Sequence, residues 1–221
     1  KGLRALQQEL LNDQLEKLSI PAVKHEINPD RKLIELQDLF KHVTSVSLEI
    51  GFGGGEHLVY QAERNPNIGF IGCEPYINGV AMLAGKLSKL ELTNVRIHPG
   101  DVRDLFDVLP DNSIDSVFLL YPDPWPKKRH HRRRFVTSEY LEELQRVMKT
   151  GALLKMATDI PDYVRQSLQE VCKYHFSWTA SDAHDWRECW SDWIPTRYEL
   201  KALREGRKPY YLTFEKRESR R

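Results

Sequence analysis

The sequence predicts an α/β protein with a mostly parallel sheet and helices on both faces. Two observations carry that expectation. Strand-length apolar runs alternate with helical patterns of about 10–15 residues, the signature of βαβ units. The first strand also runs straight into a glycine-rich turn and a helix, as in a doubly wound sheet. At 221 residues the chain has room for one domain and an extension. Its longest apolar runs, such as Val117 to Tyr121, are far short of the roughly 18 residues that span a bilayer.

The elements follow in order. Leu3, Leu6, Leu10, Leu11, Leu15 and Leu18 recur at helical spacing and predict an amphipathic helix over 3–18. Pro21 to Pro29 reads as a linker, so residues 1–30 form an N-terminal helical extension and residues 31–221 the main domain. Asp30 reads as the N-cap of a short helix through about Lys41. Val46–Gly51 is a strand, Glu56–Arg64 a helix, Gly69–Glu74 a strand and the segment through about Leu90 a helix. Asn94–His98 and Ile114–Tyr121 are strands, and Ser138 opens a helix that ends near Met148. Ala152–Thr158 is a strand, and Pro161–Tyr174 a helix with proline at its first turn. Strands near Phe176–Ala180 and Tyr210–Glu215 flank a helix around Tyr198–Glu205.

The first residues, KGLRALQQEL, show no signal-peptide core or cleavage site, so the chain reads as cytoplasmic. It opens on Lys rather than Met, so the native N-terminus is expected upstream. Cys73, Cys172 and Cys189 are odd in number and far apart, which disfavours a disulfide framework or a zinc site. The 33 Lys+Arg against 32 Asp+Glu leave a net charge of +1, which argues weakly against a nucleic-acid partner until the distribution is considered. Residues 127–134 hold six fixed positive charges, two histidines and no acid, so the rest of the chain is acidic. Such a block repels itself and predicts a mobile surface loop unless an anion orders it. It reads either as a solvated charge run or as a phosphate-binding strip.

Chemistry concentrates at strand ends. Glu49 precedes Gly51-Phe52-Gly53-Gly54-Gly55, an E-x-G-x-G-x-G loop whose glycines allow a sharp turn and close backbone approach to a ligand. Glu56 stands where a dinucleotide fingerprint needs its third glycine, which disfavours a nicotinamide dehydrogenase. A pyrophosphate would be repelled by Glu49, whereas the ammonium of a methionine-like ligand would tolerate it. Glu74 closes the second strand, where an acid can accept ribose hydroxyls, and Asp101 follows the third, placed for an adenine edge. Each acid alone is ordinarily a surface residue or a helix cap; three on successive strand ends favour a nucleoside pocket. That pocket resembles the S-adenosylmethionine site of Rossmann-fold methyltransferases.

After the fourth strand, Pro122-Asp123-Pro124-Trp125-Pro126-Lys127 places three prolines in five residues, locking a loop that holds Asp123 and leads into the basic run. Asp159 closes the fifth strand, and Thr196-Arg197-Tyr198-Glu199 precedes the last helix, where Thr196 and Glu199 fit a capping box. Trp186, Trp190 and Trp193 with His184 read as packing or a lid. His130 and His131 are adjacent and do not read as metal ligands.

The glycine loop, the Pro122–Lys127 loop, the run Arg129-His130-His131-Arg132-Arg133-Arg134-Phe135 and Thr196–Glu199 together resemble the bacterial tRNA (guanine-N7-)-methyltransferases, from Glu49 to Phe214. The proline-tryptophan loop with its basic extension is the specific part. The resemblance implies a Rossmann-like class I methyltransferase with seven strands over residues 31–221. It implies methyl transfer from S-adenosyl-L-methionine, without a metal, to N7 of guanine 46 in the tRNA variable loop. Glu49, Gly51, Gly53, Gly55, Glu74, Asp101 and Asp123 would meet the cofactor, and Asp123 would be the catalytic carboxylate. Lys127, Arg129, His130, His131, Arg132, Arg133, Arg134, Asp159, Thr196, Arg197, Tyr198 and Glu199 would meet tRNA. No obligate protein partner or membrane is implied, and the chain would be a monomer or homodimer. An amine methyltransferase of the same fold would leave the basic run unexplained. Intact acids at all four cofactor positions argue against a non-catalytic RNA-binding module.

Overall fold

A computed structural model describes residues 5–218, grouped into two compact units, Lys1–Pro110 and Asp111–Arg221. In the first unit α1 spans Ala5–Leu18, α2 Leu36–Leu39, β1 Ser45–Ile50, α3 Glu56–Arg64, β2 Ile68–Cys73, α4 Ile77–Leu90, β3 Val95–His98 and α5 Val102–Phe106. Its strands are ordered β3-β2-β1 and all run parallel, with Ser45 opposite Ile68 and Phe70 opposite Val95. β1 and β2 are buried over five consecutive residues each, as strands covered on both sides must be. Leu11 of α1, Leu83 and Leu87 of α4 and Ile97 of β3 share one core, so the N-terminal helix packs on the sheet-bearing unit. Leu3, expected to open that helix, lies outside the described residues.

In the second unit β4 spans Ile114–Leu120, α6 Ser138–Val147, β5 Met148–Thr158, α7 Pro161–Glu170, β6 Phe176–Trp178, α8 His184–Arg187, α9 Arg197–Arg204 and β7 Tyr210–Lys216. β4 pairs parallel with β5, while β7 runs antiparallel between β5 and β6, which makes seven strands among the described residues. No described helix is long and apolar enough to cross a membrane.

Several expectations need correction. Asp30 caps nothing: Arg31 is left-handed at φ 49°, and only Leu36–Leu39 is helical. Tertiary bonds hold this stretch instead. Asn28 Nδ2 donates to Ala22 O at 3.0 Å, Arg31 Nη1 donates to Val23 O at 2.6 Å, and Ile34 N donates to Val108 O at 2.9 Å. α6 does open at Ser138, but β5 starts at Met148, four residues earlier than its apolar run. The helix from Pro161 ends at Glu170 and tightens into a 3₁₀ turn over Val171–Lys173. The basic run is not a loose loop either, because Lys128–Arg133 forms 3₁₀ turns.

Candidate active site

In the first unit the turn after β1 is built by glycines at positive φ: Gly51 at 71°, Gly53 at 56° and Gly55 at 71°. L side chains are strained there, so the turn needs glycine. The space a Gly51 side chain would enter is open to at least 4 Å, room that a ligand can use. Glu74 holds the loop from below. Its Oε2 accepts from Gly53 N at 2.8 Å and its Oε1 from Tyr76 N at 2.8 Å. Each oxygen keeps a second lone pair for a ribose hydroxyl. A further glycine, Gly79 in α4, lets that helix approach: a Cβ there would sit 2.2 Å from Gly53 O.

Glu49 is buried at the end of β1, and His57 of α3 donates from Nδ1 to its Oε2 at 2.7 Å. A carboxylate only accepts, so this bond places the proton on Nδ1; Gln61 Nε2 stands 3.4 Å from the other ring nitrogen. Asp101 caps α5, accepting from Arg103 N at 2.9 Å and from its guanidinium at 3.0 and 2.9 Å. Burial works to raise the Asp101 carboxyl, but the bonds from Arg103 outweigh it and hold the group below its usual range. These residues fit the group the acids imply: an open turn, a fixed carboxylate at the ribose position and a buried acid before the loop.

In the second unit the loop after β4 begins and ends its turn on two strained residues. Tyr121 lies at φ 51° and Trp125 at φ 38°, each directly before a proline. Left-handed aromatic residues cost about 1–3 kcal/mol each and persist only where surrounding contacts impose them. Those contacts are specific. Tyr121 donates from its hydroxyl to Glu199 Oε2 at 3.0 Å. The Trp125 ring meets the His130 ring edge-on at 5.8 Å, and Arg133 lies 4.9 Å over its face. Asp123 between them is exposed and makes no hydrogen bond or ion pair among the described residues.

The residues expected to meet tRNA divide by burial. Lys127, Lys128, Arg129, Arg132 and Arg133 are exposed, and His130 and His131 partly so. Arg134 is not part of an exposed strip: its side chain is 1% exposed and bonded on three sides. Thr196 caps α9, its Oγ1 accepting from Glu199 N at 3.2 Å, with Arg197 half-buried and Tyr198 exposed behind it. The Glu199 carboxylate does not complete the capping box. It is 3% exposed and accepts from Tyr121, from Tyr211 Oη at 2.9 Å and from Trp193 Nε1 at 3.0 Å. Burial, then the Glu199 charge, push both phenols far above their usual range. Asp159 pairs with Arg207 and keeps 12% of its side chain exposed. Trp190 and Trp193 pack edge-on against Tyr211, and Trp186 stacks on Tyr210 at 5.9 Å, so the tryptophan stretch is packing.

Comparison with known proteins decides the family. A family model described as "Putative methyltransferase" matches residues 43–212. The tRNA (guanine-N(7)-)-methyltransferase of Roseobacter denitrificans is 61% identical over 97% of this chain and 91% of its own. The chain belongs to the tRNA (guanine-N(7)-)-methyltransferase family. The Ruegeria pomeroyi member is also 61% identical, over 99% of this chain and 92% of its own, and the Agrobacterium fabrum member 46%, over 93% and 88%. Among solved structures, an antibiotic-related methyltransferase shares the fold at TM-score 0.60 and 19% identity, covering 85% of this chain and 98% of its own. The 16S rRNA methyltransferase KamB does so at TM-score 0.59 and 17% identity, over 83% and 93%. The family thus carries the fold expected from the strand pattern.

His57 and Gly79 in the first unit, and Tyr121 and Tyr211 in the second, hold candidate residues and were not singled out in the sequence. Gly79 had a legible signal, a glycine in the first turn of a helix beside the nucleotide loop. The others had none, since no motif links Glu49 to His57 or Glu199 to the two tyrosines.

Proposed function

We propose that this chain transfers a methyl group from S-adenosyl-L-methionine to N7 of guanine 46 in the variable loop of tRNA. The observation that supports methyl transfer to guanine N7 of tRNA is the 61% identity to tRNA (guanine-N(7)-)-methyltransferases over nearly the whole chain; the position within tRNA is this reading's own step. The open turn above Gly51 supports it independently.

Guanine N7 has an in-plane lone pair and no proton at neutral pH, so its methylation needs no general base. S-adenosyl-L-methionine, when bound, supplies an electrophilic methyl group and leaves as S-adenosyl-L-homocysteine. The protein's own task is alignment and charge. Glu74 would accept the ribose hydroxyls, Asp101 would meet the adenine, and Glu49 with Gly51, Gly53 and Gly55 would hold the methionine part. Asp123 supplies negative charge as the purine ring becomes cationic; its exposure and lack of partners leave it available.

Selectivity for guanine requires an acceptor for N1–H and N2–H. Asp159 suits this better than Glu199, because the described residues use only its Oδ2, through Arg207, and leave Oδ1 open. The Glu199 carboxylate already holds three donors. N7 is inaccessible in a deep RNA major groove, so the base must come from an unstacked loop position. Lys127, Lys128, Arg129, Arg132 and Arg133 would hold the phosphates during that step.

Incubation with labelled S-adenosyl-L-methionine and an unmodified tRNA transcript tests the reading. Reductive aniline cleavage should place the label at one variable-loop guanine. Label elsewhere, or none, would overturn it.

A further inference from the structure

Six cations stand in residues 127–134, and only Arg134 points inward. Its guanidinium meets three acceptors on two segments, the Pro122–Lys127 loop and α7. Nε donates to Pro124 O at 2.8 Å, Nη1 to Gln166 Oε1 at 2.7 Å and Nη2 to Asp162 Oδ2 at 2.9 Å. The group also lies 5.2 Å over the Tyr163 ring. Gln166 is held in turn, donating from Nε2 to Val136 O at 2.8 Å. A guanidinium so placed cannot reach a phosphate without leaving all three acceptors. Removing a partner from a buried charge is costly, so the seat is specific.

The acceptor on the loop side is the carbonyl of Pro124, the residue after Asp123. Pro122 and Pro124 fix φ on either side of Asp123, and Trp125 turns left-handed immediately afterwards. The two prolines narrow the loop's freedom without fixing Asp123 itself, and Arg134 holds the carbonyl of the residue that follows it. We infer that Arg134, seated on Asp162 and Gln166 of α7, is a positioning residue that aims Asp123 rather than a contact for RNA. This rests on Asp123 being the catalytic carboxylate. Arginine is required because a lysine ammonium lacks the planar fork that serves three acceptors at once. The last member of the run is thus neutralised from within, and Arg133 and His130 pack on Trp125 beside it.

The test uses Arg134→Lys, Asp162→Asn and Gln166→Leu in the full chain. Turnover, KM for tRNA and the salt dependence of tRNA binding are measured together. A displaced carboxylate should lower kcat by about 10–100-fold in all three variants. KM and the salt slope should stay unchanged in Gln166→Leu. That variant is decisive for RNA binding, because it loosens the seat without changing charge, whereas Asp162 also faces His131 and Arg165 beside the strip. Wild-type kcat in Asp162→Asn and Gln166→Leu would overturn the inference. So would a lost salt slope with intact kcat in Arg134→Lys. Should Arg134→Lys fail to fold, the two α7 variants carry the result. A wild type that places no methyl on guanine N7 would sink the proposed function instead. Exchange of the Arg134 Nε–H, which donates to Pro124 O, then still reads the seat: faster exchange in Asp162→Asn is expected, and unchanged exchange refutes it.

Discussion

The Tyr121 hydroxyl donates to Glu199 Oε2 at 3.0 Å while the Tyr121 backbone sits left-handed at φ 51°. The two facts are connected. A residue before proline is pushed toward extended conformations, so a left-handed Tyr121 must be held by its side chain. Glu199 can hold it because α9 fixes its own backbone through the Thr196 cap. The loop that presents Asp123 is therefore anchored at its start by a buried carboxylate and at its middle by a buried guanidinium. Neither anchor is a surface charge.

Glu199→Gln should destabilise the second unit sharply. The carboxylate accepts from two phenols and an indole N–H, and an amide would turn one acceptor into a donor facing donors. Losing one charged hydrogen bond and burying an unpaired donor costs about 2–4 kcal/mol. Urea unfolding measures this. A midpoint equal to wild type would show that the carboxylate is not holding the aromatic residues.

The same cluster predicts alkaline instability. Tyr121 and Tyr211 are raised above their usual value of 10.0, mainly by burial and then by Glu199. Above that pH the unfolded chain loses these protons while the native state keeps them, so stability present at neutral pH falls as pH rises. Each tyrosine contributes at most about 1.4 kcal/mol per pH unit. Tyr211→Phe should reduce the slope of unfolding free energy by about half a proton at pH 10, rising to about nine-tenths of a proton at pH 11. An unchanged slope would refute the assignment.

The parallel core and the glycine turn were legible because their signals are local: an apolar run, then Gly51, Gly53 and Gly55. α5 was not, since five residues from Val102 to Phe106 are too few to show a period. The helix expected from Asp30 failed for the opposite reason. Its capping pattern was present, but Asn28 and Arg31 bind carbonyls remote enough to override it. Arg134 is the hardest case. Within a block of cations nothing marks which one turns inward, because its acceptors Asp162 and Gln166 lie 28 and 32 residues away. The spacing of Thr196 and Glu199 revealed the cap but not the carboxylate's destination.

Removing the exposed cations should weaken RNA binding by a predictable amount. Lys127, Lys128 and Arg132 are exposed and without partners among the described residues. Replacing all three by Ala should lower the slope of log affinity against log salt by about 2–3, one counterion per lost phosphate contact. S-adenosyl-L-homocysteine affinity should not move. A preserved salt slope would remove these residues from the RNA surface.

Asp123→Ala should separate chemistry from folding. The exposed carboxylate has no described partner, so its loss should change stability by less than about 0.5 kcal/mol. Methyl transfer should fall by roughly 10²–10³-fold, the usual effect of removing one charge-stabilising group. Turnover near wild type would refute the catalytic role.

Gly79→Ala sets two effects of opposite sign against each other. Alanine in place of glycine inside a helix gains about 1 kcal/mol from propensity. Against this, the added Cβ would stand 2.2 Å from Gly53 O, a backbone atom that cannot rotate away. Gly53 is itself left-handed, and its N–H is held by Glu74, so the carbonyl can retreat only if the turn opens. The steric term wins, and relief must come from separating α4 from the glycine loop or breaking the Gly53–Glu74 bond. Either movement displaces the carboxylate that would accept the ribose hydroxyls. Calorimetry should therefore find S-adenosyl-L-homocysteine affinity reduced at least about tenfold, the equivalent of one lost hydrogen bond. tRNA affinity should be unchanged, because the exposed cations belong to residues 127–134 and not to this turn. Wild-type affinity for S-adenosyl-L-homocysteine would mean that the close approach of α4 is not part of the pocket.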